Sequence, residues 1–152
     1  MSRFRGKFEA SMDSQGRFSI PAKFRKALSP DAAETFVVCL APGKCLRAFA
    51  QDTWNKYEDE IAAWPQTAET LLMKTTLYNT LQESTLDPQG RITLTASQME
   101  MVGIKKNVTL IGQFGFIEIW DTARLAAYIG NLENFDEVFF KSVDAAARNV
   151  GH

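Results

Sequence analysis

The sequence predicts a mixed, mainly β fold made of two pseudo-symmetric units with flanking helices. Three observations predict it. Asp13-Ser14-Gln15-Gly16-Arg17 recurs as Asp87-Pro88-Gln89-Gly90-Arg91, 74 positions later, close to half of the 152 residues. One order of elements (strand, turn, strand, short helix, hairpin, helix) can be read around each copy. Leu46, Phe49 and Tyr57 also align with Ile117, Trp120 and Tyr128 at a constant offset of 71.

The elements follow in chain order. Lys7 to Met12 alternates as a strand does, and Arg17-Phe18-Ser19-Ile20 is expected to pair with it after the turn. Asp at the first place and Gly at the fourth suit a type I turn followed by a left-handed bulge position. The Asp13 carboxylate can accept backbone N–H groups inside that turn. Pro21 opens a short helix to Leu28, where its missing N–H is not needed. Phe36 to Leu40 and Cys45 to Phe49 are strands joined by a Pro42-Gly43 turn. Asp52 is expected to cap a helix carrying Trp54, Tyr57, Ile61 and Trp64.

The second half repeats the order. Leu81 to Leu86 and Ile92 to Leu94 flank the second turn. A short helix runs from Ala96 to Val102 and stops at Gly103. Val108 to Ile111 and Phe116 to Trp120 form the second hairpin, and Asp121 caps a helix with Leu125, Tyr128 and Ile129. Two segments lie outside the repeat. Thr67 to Thr80 reads as a joining helix with Leu71, Leu72 and Thr75 on one side. Asn134 to Asn149 reads as a C-terminal helix whose stripe of Phe135, Val138, Phe139, Val143 and Ala146 suits core or a subunit contact. The expected division is residues 4–64, first repeat; 65–80, joining helix; 81–131, second repeat; and 132–152, C-terminal helix and tail.

Charge is unevenly spread. The net charge is −1, yet residues 1–29 hold Arg3, Arg5, Lys7, Arg17, Lys23, Arg25 and Lys26 against Glu9 and Asp13, a local +5 that leaves −6 elsewhere. A local basic patch matters more to a polyanion than the total. On this ground the first turn, with a basic helix beside it, is expected to be the stronger grip and the second turn the weaker. No apolar run approaches the roughly 20 residues that span a bilayer, so no membrane partner is expected. The basic N-terminus has no long apolar stretch after it, which points to a cytoplasmic protein. Cys39 and Cys45 read as free apolar thiols.

Phe4-Arg5-Gly6-Lys7-Phe8, followed by Asp13-Ser14-Gln15-Gly16-Arg17-Phe18-Ser19-Ile20-Pro21-Ala22-Lys23-Phe24-Arg25, resembles the MraZ family of bacterial transcriptional regulators. That family belongs to the AbrB/SpoVT/MazE-like swapped-hairpin superfamily. The resemblance covers roughly Phe4 to Asn131. It implies two AbrB/SpoVT-like βαβ units that interleave their hairpins into one swapped-hairpin, double-psi-like barrel. It also implies ring-shaped homo-oligomers, association with the nucleoid, and binding to repeated boxes of double-stranded promoter DNA, as a repressor of the division and cell-wall gene cluster. The sequence departs from the pattern at Thr95, in place of a proline, and at Met99 and Glu100, in place of a basic pair.

The expected DNA-binding residues are Arg17 and Arg91, with Arg3, Arg5, Lys7, Lys23, Arg25 and Lys26 widening the basic face. Asp13, Gly16, Asp87 and Gly90 shape the loops. Most such contacts reach phosphate, and one or two arginines per unit reach a guanine edge. The structural alternative is that each Arg only braces its own hairpin through its Asp. An enzyme is not expected. The only histidine is His152, no phosphate loop is present, and no Ser or Cys has an identifiable base. Neither a metal nor a cofactor is expected. The alternative function is a protein-interaction module, such as an antitoxin-like AbrB relative or scaffold.

Overall fold

In the computed structural model, residues 2–130 and 134–150 are described, without the side chains of 149 and 150. Eight strands form in two sheets: β1 (Phe4–Ser11), β2 (Arg17–Ser19), β3 (Thr35–Ala41), β4 (Cys45–Ala50), β5 (Gln82–Thr85), β6 (Arg91–Thr93), β7 (Asn107–Phe114) and β8 (Phe116–Asp121). The helices are α1 (Ala22–Ala27), α2 (Gln51–Ala62), α3 (Ala68–Thr80), α4 (Ala96–Val102), α5 (Thr122–Gly130) and α6 (Phe135–Val150). The fold is mixed α/β rather than mainly β. The difference comes from α3 and α6, which lie outside the repeat and add 13 and 16 helical residues.

The larger sheet has the order β1-β7-β8-β4-β3-β5, with every pair antiparallel, and β2 pairs with β6 in a separate two-stranded sheet. Read from either end, the larger sheet meets equivalent strands in the same order. The repeat is therefore written into the register. At the centre Arg47 faces Glu118, 71 positions apart; in the small sheet Phe18 faces Ile92, 74 apart. Residues that are equivalent in sequence thus sit on a local two-fold axis.

This topology corrects one expectation. β1 does not pair with β2 across the first turn. It joins β7, residue by residue from Phe4↔Phe114 to Ser11↔Asn107. In the same way β5 joins β3 rather than β6. Alternation marks a segment as a strand but does not choose its partner. Exchange of β1 and β5 ties the two halves together. One core results, in which Phe18, Ile92 and Leu94 from the small sheet and its flanks pack on Phe4, Phe36, Leu46, Leu110, Ile117 and Ile119. Burying a side chain of this size is worth about 1.5–3 kcal/mol.

The opposite face of the larger sheet is covered by helices. Trp54 and Ile61 of α2 pack on Val37, Cys39 and Phe49. Leu125 of α5 packs with Trp120, Cys45 and Ala41. Cys39 and Cys45 are buried free thiols, and burial pushes both up to about 12. α3 is tied to α2 where the Tyr78 hydroxyl donates to Glu58 Oε2 at 2.6 Å.

Two local expectations need correction, and a third is narrowed. Asp52 does not cap α2. It lies in the first turn, and its two oxygens accept from Ser2 Oγ and Ser29 Oγ at 3.3 and 3.0 Å, lashing the N-terminus to the segment after α1. Trp64 lies past the end of α2. Phe135, Val138, Phe139 and Val143 of α6 are exposed, as are Leu71 and Leu72 of α3, so of the two readings of the α6 stripe core is excluded within this chain and a subunit contact is left. By contrast Asp121 does cap α5, accepting the Arg124 N–H at 3.2 Å.

Candidate functional site

The two repeated turns fold alike. In the first, Asp13 Oδ1 accepts the backbone N–H groups of Gln15 and Arg17, both at 2.9 Å, and Oδ2 accepts Arg17 Nε at 2.7 Å. In the second, Asp87 Oδ1 accepts Gln89 and Arg91 N–H at 2.9 Å, and Oδ2 accepts Arg91 Nε at 2.8 Å. Gly16 and Gly90 both have φ of +76°, the left-handed region that a β-carbon disfavours. Pairing of β2 with β6 brings the turns side by side. Leu94 N donates to Gly16 O at 2.8 Å and Ile20 N donates to Gly90 O at 2.9 Å, one bond for each half. Arg91 Nη1 also lies 3.8 Å from Asp13 Oδ2.

Each Asp is locked as a carboxylate. The Arg17 backbone N–H, with further help from the Arg17 side chain and the Gln15 N–H, holds Asp13 down to about 2. The same donors from Arg91 and Gln89 hold Asp87 below its usual range. Each arginine uses Nε for its own Asp, and the guanidinium fork keeps two Nη groups for a second partner. The arrangement can therefore bind a planar acceptor or a phosphate through Nη without giving up its brace.

The other expected residues separate into two groups. Arg25 joins the turns. A β-carbon on Gly90 would lie 2.9 Å from Arg25 Cδ and Nε, and Arg25 Nε donates to Ile20 O at 3.0 Å. Lys23 Nζ lies beside Gly6, 3.4 Å from where its β-carbon would be, and Lys26 is exposed in the last turn of α1. Arg3 stacks on the Phe114 ring at 4.7 Å, beside the end of β1 farthest from the Asp13 turn. Arg5 and Lys7 follow it as exposed residues of β1.

The position of Arg25 overturns the expected pairing of turn and helix. The basic helix α1 stands beside the second turn: one groove is lined by Arg25, Ser29, Glu34, Asp87, Pro88 and Gly90. The first turn stands beside α4, in a groove that includes Ser14, Gly16, Met99, Glu100 and Lys105. Because the halves interleave, each short helix serves the other half's turn. Lys105 was missed from sequence; it follows Gly103, and only the exchange brings it to the Asp13 turn. Thr95 also gains a reason. It caps α4 through a reciprocal pair with Gln98, Gln98 N to Thr95 Oγ1 at 3.0 Å and Thr95 N to Gln98 Oε1 at 3.2 Å. Pro21, the equivalent residue before α1, makes no such side-chain bond.

Fold and site together define a tandem-repeat mixed α/β protein that presents two Asp-braced arginines from adjoining turns. The chain belongs to the MraZ family. The family described as "MraZ protein, putative antitoxin-like" matches residues 3–75 and again residues 77–146. A protein of Aromatoleum aromaticum named Transcriptional regulator MraZ is 37% identical over 121 residues, 79% of this chain and 82% of that protein. Its namesake in Nitrosomonas europaea is 31% identical over 80% of this chain and 82% of its own length. The namesake in Halothermothrix orenii is 29% identical over 97% of this chain and 99% of its own length.

Proposed function

We propose that this chain is a sequence-specific DNA-binding transcriptional regulator. It would act as a repressor on repeated promoter boxes of the division and cell-wall gene cluster, at the nucleoid in the cytoplasm. The observation that carries the reading is the pair of braced arginines: two identical turns, side by side, each with a guanidinium fixed through Nε. A prepositioned guanidinium loses little rotamer entropy on binding, and its Nη pair matches guanine O6 and N7 or a phosphate. Lys26 and Lys105 stand by to neutralise backbone charge. The names of the relatives support the regulatory role.

The fold is read as a swapped-hairpin barrel, because β1 and β5 each join the other half's hairpin while β2 and β6 close against each other. The division into residues 4–64, 65–80, 81–131 and 132–152 follows from the same repeat. A ring-shaped homo-oligomer is part of the proposal. Phe135, Phe139 and Phe140 on α6 are each more than half exposed, an apolar face that assembly would cover. Linked copies would also reach successive boxes at high effective concentration. No catalytic role is proposed for these turns.

The test is a fluorescence-anisotropy titration of the full chain on duplex from upstream of its own gene, against a scrambled duplex of equal length. Tighter binding to the first, falling steeply with salt through counterion release, is expected. Equal affinity for the two duplexes would refute sequence-specific regulation, and an absence of binding at low salt would refute the DNA partner. Light scattering on the same sample tests the oligomer; a monomer would refute the ring.

A further inference from the structure

We infer that the base-reading unit of this protein is assembled across its two halves, from Arg91 of the second turn and Arg25 of the first half's helix α1. Arg17 is then the lesser reader. The inference rests on the DNA-binding reading and goes beyond it by naming the side chains that discriminate between bases.

Three contacts close into one tie. Ile20 N donates to Gly90 O at 2.9 Å, Arg25 Nε donates to Ile20 O at 3.0 Å, and the Arg25 side chain lies directly over Gly90. Arg25 is thereby anchored twice beside the turn that presents Arg91. Both arginines spend Nε on the protein, Arg25 on a carbonyl and Arg91 on Asp87 Oδ2. Arg25 therefore keeps its Nη pair, and Arg91 keeps Nη2 together with an Nη1 that faces Asp13 Oδ2 at 3.8 Å, beyond hydrogen-bond reach, so each can still offer the bidentate donor that distinguishes guanine from other bases in the major groove.

The first turn lacks this second guanidinium. The residue equivalent to Arg25 is Met99, whose Sδ lies 3.6 Å from where a β-carbon on Gly16 would be. A thioether offers guanine no donor. The cation in that groove is Lys105, a point charge suited to phosphate rather than to a base edge. Each groove also contains one further acid, Glu34 in one and Glu100 in the other, so acidic neighbours do not separate the two. The difference is two forked donors against one.

The test uses the full chain, the duplex from upstream of its own gene, and a panel of duplexes in which single G·C pairs of that site are replaced. Arg91→Ala and Arg25→Lys are compared with Arg17→Ala. Arg25→Lys keeps the charge and the stem over Gly90, so it tests the fork rather than the fold. Melting curves confirm that each variant is folded. Arg91→Ala and Arg25→Lys should flatten the preference among duplexes, by roughly 5- to 150-fold for a lost bidentate guanine contact. Arg17→Ala should weaken all duplexes alike and leave the preference standing. If Arg17→Ala flattens the preference as much as Arg91→Ala, or Arg25→Lys leaves it intact, the cross-half unit is wrong while DNA binding stands. If the unsubstituted chain shows no preference at all, the DNA reading itself fails and takes this inference with it.

Discussion

The two halves of this chain use the same turn in different surroundings. Around Asp13–Arg17 and Asp87–Arg91 the hydrogen bonds agree to within 0.1 Å, and the two glycines share one φ. What differs is the layer next to them. Gly16 is roofed by the backbone oxygen of Leu94, with Met99 beyond it, whereas Gly90 is roofed by the Arg25 side chain. The comparison teaches that a repeat conserves the part whose geometry is self-contained. An Asp that accepts three local donors needs nothing from outside its own five residues. The layer above it comes from the other half, so it diverges freely.

The comparison breaks most severely if the two halves fold apart. Phe18 and Ile92 face each other on the local axis and are both fully buried. Phe18→Ala should cost about 3–5 kcal/mol and Ile92→Ala about 2–5 kcal/mol. Each should show a single unfolding transition by circular dichroism and by tryptophan fluorescence, since Trp54 and Trp120 report on different halves. Two separated transitions in urea would mean that the halves are independent units. Glycine substitutions sharpen the comparison at the turns. Gly16→Ala and Gly90→Ala each impose a β-carbon at φ +76°, so each should cost more than about 1 kcal/mol. Gly16→Ala should cost more, because its β-carbon would lie 2.7 Å from a backbone oxygen, while Gly90→Ala meets a side chain that can swing aside. Equal losses in denaturant melts would show that the roofing layer is irrelevant to stability.

These contrasts also mark what the sequence makes legible. The repeat, the hairpin of β7 with β8, the Asp121 cap and the Asp-to-Arg braces are all local, and local donors, turns and periodicity announce them. The partners of β1 and β5 are not local. Strand alternation is the same whether β1 pairs with β2 or with β7, and only the shared core decides. The crossed pairing of helix and turn follows from that one choice: once the halves interleave, Arg25 falls over Gly90 and Lys105 falls beside Gly16. The partners of Asp52 are hidden from sequence for a related reason. Its cap-like position is visible in sequence, but its actual partners, Ser2 and Ser29, are 50 and 23 residues away. The apolar stripes on α3 and α6 were legible as stripes; their exposure was not, because periodicity says which residues share a face and not what that face meets.

A smaller effect separates the two short helices. Thr95→Ala removes a reciprocal cap and should cost about 1 kcal/mol, within the range of 0.5–2 kcal/mol. Pro21→Ala removes no side-chain bond, and its cost should stay under about 1 kcal/mol, through added freedom in the unfolded chain. Thermal melts of the two variants check this. A larger loss at Pro21 would mean that ring packing, rather than capping, fixes these helix starts.

The smallest expected contrast lies between the two carboxylates, and pH exposes it. Asp13 is held at about 2 in the folded chain against an ordinary 3.8, chiefly by the Arg17 backbone N–H. A depressed carboxyl stabilises the fold above its ordinary value, and that contribution disappears as pH falls from 3.8 through about 2. Asp87 follows the same sign for the same reason. The two differ in one neighbour: Asp13 Oδ2 also faces Arg91 Nη1 at 3.8 Å, which ties the first carboxylate to the second half. Melting temperature followed from neutral pH down to about 2 should therefore fall for the unsubstituted chain. Asp13→Asn should flatten that fall more than Asp87→Asn does. Both side chains are partly exposed, so added salt should narrow the gap between the two variants. Equal flattening would mean that the cross-half contact of Arg91 contributes nothing, and that the two turns are joined only by the β2–β6 backbone.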